Sequence, residues 1–249
     1  HTRRQRQMCI RDRLNMYKLS ISTSGSFIST CLHEEKLIGS LIFKSNQGST
    51  NLLLNEIDEL LFKSNVDKKN LGAIYLDTGP GYYTGLRIGY SVAQGIGGTL
   101  GIPIVPVNGL DSLAFAAHTS HRKVCTLIDI KRNEFAFCTY KPVPGGVVRE
   151  TEPEVVNSKS LKAKFADDTE KKLLVGNWDL IGEDDLPNDS NTKLADPKIV
   201  TAETIYSVGE RLFQNNKFPN FNEIPINYMR EPDISLSQTS LEKKVEFND

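Results

Sequence analysis

The chain has 249 residues, with 30 basic and 31 acidic side chains and a net charge of -1, a size that fits one large domain or two small ones. Hydrophobic residues make up 39%, enough for a packed core, and no run approaches 18 uncharged apolar residues, which excludes a membrane-spanning helix. The balanced charge argues against a surface that coats nucleic acid, and four cysteines (Cys9, Cys31, Cys125, Cys138) without a CxxC pair point to reduced thiols in a cytosol.

Residues 1–15 carry five Arg and one Asp and show no apolar period. The string RQRQMCIRDR resembles a translated sequencing adapter, so this stretch is expected to be a non-native extension, with Met16 as the natural start. Without it, 25 basic and 30 acidic groups leave a net charge of -5.

Alternation predicts strands over 17–22, 26–32 and 36–43, the last two parted by the polar turn His33-Glu34-Glu35. The period then changes: Leu53, Ile57, Leu60, Leu61 and Ser64 fall at helical spacing and predict a helix over 50–64. A strand over 73–77 leads into a loop marked by glycine and proline, 78–83. A helix over 84–100 follows, with Thr84 as its expected cap, then a strand over 102–107 and a helix over 110–117. Strands over 123–130 and 134–140 follow, joined by Lys131-Arg132-Asn133, and a Pro-Gly-Gly turn leads to a third short strand. A weak helix is expected over 158–166, a strand over 172–176, a long loop over 177–199 and a helix over 202–215. Each half reads β-β-β-α-β-α, which suggests a duplicated α/β architecture with a cleft between two lobes. The expected organisation is an N-terminal lobe over 16–107, a C-terminal lobe and return segment over 108–230, and a polar tail over 231–249.

The glycine loop, DTGPGYYTGLRIG at 77–89, follows a strand and opens a helix. Free amides at a helix start attract anions, and Arg87 stands in the first turn, so Gly79, Pro80, Gly81, Thr84, Gly85 and Arg87 are candidates for a nucleotide contact. A purely structural turn fits equally well, and no GxxxxGK[ST] P-loop is present. Along the following helix, Gly85, Gly89, Ala93, Gly97 and Gly101 recur every four residues and lie on one line. Interior glycines at 89, 95, 97 and 98 forfeit roughly 4 kcal/mol of helix propensity. Close approach of another backbone would offset that loss, either within the chain or from a second molecule.

These residues carry a resemblance. GPGYYTGLRIG (79–89) is similar to the GPGSFTGLRIG loop of the TsaB (YeaZ) family. The likeness continues through LGIPIVPVNGLDSLA (100–114), through IDIKRNE (128–134), similar to the family's IDARRGE, and through PINYMR (225–230), similar to P-x-YLR. It spans roughly residues 17–230. The resemblance implies an α/β chain of the actin-like ATPase (ASKHA) fold, two RNase H-like lobes, related to the TsaD/Gcp-like superfamily. It further implies a cytoplasmic, non-catalytic subunit of the complex that transfers a threonylcarbamoyl group to the adenosine beside the tRNA anticodon. That subunit would bind and activate TsaD as a heterodimer through the helices 50–64 and 84–100, with the ATPase TsaE as a further member. The implied contact residues are Leu53, Ile57, Leu60, Leu61, Leu86, Gly89, Tyr90, Ala93 and Gly97. A homodimer is expected as an option when the partner is absent, tRNA is met through the complex only, and ATP and metal are expected on the partner subunits, with no cofactor of the chain's own.

Two departures bear on catalysis. Catalytic relatives carry H-x-x-x-H after V-N; here Gly109 and Leu113 take the two ligand positions, and neither can hold a metal. The family's I-D-T-S-T strand reads Ile21-Ser22-Thr23-Ser24-Gly25, and a hydroxyl at 22 cannot replace a carboxylate beside Mg²⁺. The remaining alternatives are an actin-like small-molecule kinase with its own nucleotide site and a glycoprotease-like hydrolase. His118 and His121 are expected to be exposed, Asp129 and Glu134 to be turn polarity rather than a paired-carboxylate site, and Trp178 to be a packing anchor. Ser24 and Ser26 have no matched base for nucleophilic catalysis.

Overall fold

The computed structural model describes residues 16–44, 50–166, 168–187 and 189–229. The basic extension (1–15), the polar tail (231–249) and Arg230 of the PINYMR motif lie outside the described residues. The first half runs β1 (Tyr17–Ser22), β2 (Phe27–His33), β3 (Leu37–Lys44), α1 (Thr50–Lys63), β4 (Leu71–Asp77), α2 (Tyr83–Leu100), β5 (Ile104–Val107) and α3 (Gly109–Ala116). The second runs β6 (Lys123–Asp129), β7 (Phe135–Val143), β8 (Gly146–Arg149), β9 (Glu154–Val156), α4 (Ser158–Phe165), β10 (Lys172–Gly176), β11 (Thr192–Ala195) and α5 (Ala202–Gln214).

The two sheets repeat one topology. The first is ordered β3-β2-β1-β4-β5 and the second β8-β7-β6-β10-β11, with β9 pairing β7 at the side. In each, a meander of antiparallel strands continues into parallel strands, joined through α-helices except at β10–β11, where two 3-10 turns make the connection. β4 lies inside the first sheet with both faces covered, so all seven of its residues are buried and it reads as a continuous apolar run rather than an alternating one. One face of the first sheet is closed by α1 and α2 over Leu19, Ile21, Ile74 and Leu76. The other is closed by α5, the last α-helix among the described residues, through Ile205 and Phe213 on Tyr75 and Val105. α3 crosses the other way and packs on the second sheet with Leu110 and Leu113. α3 and α5 meet between the lobes, where the Ser112 and Thr204 hydroxyls lie 3.3 Å apart.

Four local expectations are corrected. The stretch 177–199 is not one long loop: it holds two 3-10 turns, Trp178–Leu180 and Glu183–Asp185, and the edge strand β11 parallel to β10. Four polar-flanked residues are too few to show a period of two. β9, only three residues long, escapes for the same reason. α2 starts one residue earlier than expected: Tyr82 is its N-cap, with no side-chain cap bond, and Thr84 is already inside the helix. His118 is half-buried rather than exposed. Its ring stacks on Phe115 at 4.6 Å, with Nδ1 2.7 Å from the Phe115 carbonyl oxygen. Trp178 is an anchor: its Nε1 donates to the Cys125 carbonyl at 3.1 Å, and its ring meets Phe137 and Phe165. α4, weak by sequence, is fixed by a capping box between Asn157 and Ser160.

Candidate functional site

β1 and β4 are parallel neighbours, so their C-terminal ends deliver Ser22–Ser24 and the glycine loop to one place, the crevice beyond the strand ends where α/β sheets bind ligands. Asp77 is fully buried there. Its Oδ2 accepts from the Ser22 hydroxyl at 2.7 Å and the Ser24 hydroxyl at 2.5 Å, and its Oδ1 accepts from the Gly79 amide at 2.9 Å. Burial pushes the carboxyl above the ordinary Asp range, and the three hydrogen bonds pull it back only in part. Sequence reasoning assigned Asp77 no role. The signal was an acid closing an otherwise apolar strand, opposite a Ser at the position where the family has Asp. The hydroxyl of Ser22 thus faces a carboxylate supplied by the neighbouring strand, and the pair ties the glycine loop to the β1–β2 turn.

The glycines of that loop are required by backbone contact. Gly79 has a φ of 90°, open to glycine at no steric cost. A Cβ at Gly81 would lie 2.2 Å from the Ser24 carbonyl oxygen, and one at Gly85 2.0 Å from that of Thr23. The Tyr82 amide donates to the Ser24 carbonyl at 2.6 Å, and the Thr23 hydroxyl donates to the Gly85 carbonyl at 2.7 Å. The line of small residues continues inward: Gly89 faces Thr23 Oγ1, Ala93 is fully buried, and Gly97 faces Phe221 and Ile104. What closes this line belongs to the chain itself: backbone at Gly85 and side chains at Gly89 and Gly97. Gly79 and Pro80 are buried as well, while Thr84 and Arg87 are exposed, Arg87 lying 4.8 Å from the centre of the Tyr83 ring.

The residues of the expected contact set lie mostly inside the chain. Leu53, Ile57, Leu60, Leu61, Leu86, Gly89, Ala93 and Gly97 are core residues of the first lobe, not surface. Tyr90 alone is half-exposed, its hydroxyl accepting from Gln94 at 3.1 Å. Four-residue spacing identifies a line along a helix but not the direction in which it points. The outward face of α2 carries a different line: Thr84, Arg87, Ser91, Gly95, Gly98 and Thr99. A Cβ at Gly95 would meet nothing within 4 Å. On α1, the outward residues include Phe62, 86% exposed, and Leu54.

Between the lobes lies a cleft of about 150 Å³, bounded by Ser24, Ser26 and Tyr82 on one side and Asp129, Asn177 and Val200 on the other. Small-molecule sites run from roughly 300 Å³ upward. The Tyr82 hydroxyl spans the cleft and donates to Asp129 Oδ2 at 2.5 Å. Asp129 Oδ1 accepts the Lys131 amide at 2.8 Å, so this carboxylate serves the lobe junction and its own turn. At the positions where catalytic relatives carry their His pair, Gly109 donates its amide to the Gly79 carbonyl at 2.8 Å, and Leu113 is fully buried. Among the described residues, no three His, Cys, Asp or Glu side chains converge as a metal site. Cys31, Cys125 and Cys138 are free and buried, and burial pushes the Cys31 and Cys125 thiols up to about 12.

Residues 44–161, which include α1, α2 and the glycine loop, match the family model described as TsaD: tRNA N6-adenosine threonylcarbamoyltransferase. The tRNA threonylcarbamoyladenosine biosynthesis protein TsaB of Haemophilus influenzae is 31% identical over 127 residues, 50% of this chain and 52% of that one. The protein of the same name from Escherichia coli is 24% identical over 208 residues, 80% and 88% of the two chains. The chain thus spans about half the length of the first curated relatives it matches. Among solved structures, YeaZ from Pseudomonas aeruginosa aligns with a TM-score of 0.71 at 22% identity, covering 85% of this chain and 99% of that one. A protein described as similar to peptidase YEAZ, from the same organism, aligns at 0.73 and 21%, covering 86% and 100%. These structural likenesses carry the fold.

Proposed function

We propose that the chain is a member of the TsaB/YeaZ family of the Gcp-like superfamily and a non-catalytic, cytoplasmic subunit of the machinery that places threonylcarbamoyl on the adenosine beside the tRNA anticodon. Its role is to bind a TsaD-type subunit and hold it in a competent conformation by preferring that state. TsaE and tRNA are met within the assembly, and ATP and metal belong to the partner subunits. The observation that carries this reading is the bare outer face of α2. Each glycine inside a helix costs about 1 kcal/mol relative to Ala. Contacts within the chain account for Gly85, Gly89 and Gly97, but nothing within 4 Å accounts for Gly95. Backbone-to-backbone packing by a helix from another molecule does, and the exposed Phe62 and Leu54 of α1 offer apolar area for the same contact. The interface is therefore assigned to the outer faces of α1 and α2, in place of their buried ones. Without the partner, the same face is free to pair with a second copy.

The absence of catalysis by this chain is supported by Gly109 and Leu113 at the ligand positions of the catalytic relatives. An actin-like kinase with its own nucleotide site is disfavoured by Ser22 and by the size of the cleft. Co-purification with the TsaD subunit tests the reading. Gly95→Trp should abolish recovery of the complex while leaving the melting temperature of the free chain unchanged; full recovery of the complex would refute the assigned face.

A further inference from the structure

We propose that Tyr82 is a latch that holds the two lobes closed over the cleft between them. Tyr82 belongs to the first lobe, immediately before α2, and three contacts converge on its side chain. Its hydroxyl donates to Asp129 Oδ2, in the second lobe, at 2.5 Å. The same oxygen lies 3.0 Å from the Ser26 hydroxyl of its own lobe, which fixes the direction of the phenol. Lys131 Nζ, again from the second lobe, sits 3.7 Å from the centre of the ring. A hydrogen bond to a carboxylate and an ammonium over an aromatic face are both stronger than neutral contacts, and here they act from the same lobe on one side chain.

The second lobe is shaped to supply both partners. Lys131, Arg132 and Asn133 follow one another at φ values of 74°, 61° and 58°. The left-handed region is sterically costly for residues with a Cβ, and three in succession are retained where strain serves a site. This turn carries the Lys131 ammonium over the Tyr82 ring and sends its own amide to Asp129 Oδ1 at 2.8 Å, which orients the carboxylate toward the hydroxyl. Asn177 then accepts the Asp129 amide at 2.9 Å and holds the strand end in place.

Other polar ties between the lobes lie away from the cleft: the Gly109 amide on the Gly79 carbonyl and the Asn227 amide on the Thr78 carbonyl, each at 2.8 Å, and the Ser112 and Thr204 hydroxyls where α3 meets α5. They can act as a hinge. The latch spans the cleft itself, whose rim carries the exposed Phe27 of one lobe and Leu180 of the other. Breaking it lets the lobes part without unfolding either core. The latch is a property of the chain alone, so its test uses the full chain without a partner.

Nitroxide labels at Glu34→Cys in the first lobe and Lys159→Cys in the second, in a Cys9→Ser background, report the lobe separation by electron–electron distance measurement. Cys31, Cys125 and Cys138 are buried and do not compete for label. The parent should give one narrow distance distribution. Tyr82→Phe removes the hydroxyl and keeps the ring; it should raise the long-distance fraction roughly tenfold, the equivalent of one lost charge-assisted hydrogen bond. Lys131→Met should shift the distribution the same way by a smaller factor. A Tyr82→Phe distribution that superimposes on the parent overturns the latch. Should that variant fail to fold, unchanged distances in Lys131→Met overturn it instead.

Discussion

The two edges of α2 are built from the same small residues and do opposite things. The inner edge, Gly85, Gly89, Ala93 and Gly97, is pressed against Thr23, Ile104 and Phe221. The outer edge, Ser91 and Gly95, is exposed, and a Cβ at Gly95 would meet nothing within 4 Å, whereas one at Gly98 would already touch the Phe221 ring at 3.4 Å. Loss of a side chain on the inner edge admits the Thr23 backbone at Gly85 and the Thr23, Ile104 and Phe221 side chains beyond it, and is explained by folding. The same loss at Gly95 weakens the helix and gains nothing inside the molecule. A glycine at close helical spacing therefore has meaning only once its direction is known.

The largest effect expected from breaking this difference is on the inner edge. Gly85→Val drives a Cβ to within 2.0 Å of the Thr23 carbonyl oxygen, and overpacking against backbone should cost about 3 kcal/mol or more, read as a lower urea midpoint. Next comes Asp77, which holds the turn against which that edge packs. Asp77→Ala leaves two buried hydroxyls and the Gly79 amide without their acceptor and should cost about 2–3 kcal/mol. Asp77→Asn keeps an acceptor and isolates the charge. Burial raises the Asp77 carboxyl in the folded chain, so in that window the folded state binds more protons than the unfolded one. The stability this gives is present below the ordinary Asp value of 3.8 and is lost as pH rises through the raised one. The stability difference between the parent and Asp77→Asn should therefore shift in favour of the parent as pH falls through this range; a flat difference would contradict a raised carboxyl. The smallest effect belongs to the outer edge: Gly95→Ala, with open space to fill, should stabilise the free chain by roughly 0.5–1 kcal/mol.

Much of this fold is legible in residue spacing. The change from alternation at 17–43 to the Leu53, Ile57, Leu60 pattern marks the passage from meander to helix, and its recurrence after Lys123 marks the second lobe. β9 and β11 are not legible, because three or four residues carry no period and their pairing partners lie far along the chain. The line through Gly85, Gly89 and Gly97 is legible but ambiguous. Its direction was available in the neighbours: Leu86, Ile88 and Val92 share the inner side, while Thr84, Arg87 and Ser91 share the outer one. The Tyr82–Asp129 contact joins residues 47 apart across two lobes, and no local pattern announces it. Asp77 lay in plain sight at the end of an apolar strand; what spacing could not supply was its depth.

The outer edge is settled most directly by the dissociation constant for the TsaD subunit, measured for Gly95→Trp beside the parent chain. If that face receives another backbone, as proposed, a large side chain there should weaken binding by roughly a hundredfold, about 2.8 kcal/mol, while the melting temperature of the free variant stays at the parental value. A dissociation constant within twofold of the parent, in a variant of unchanged stability, would contradict the assignment of that face to a partner.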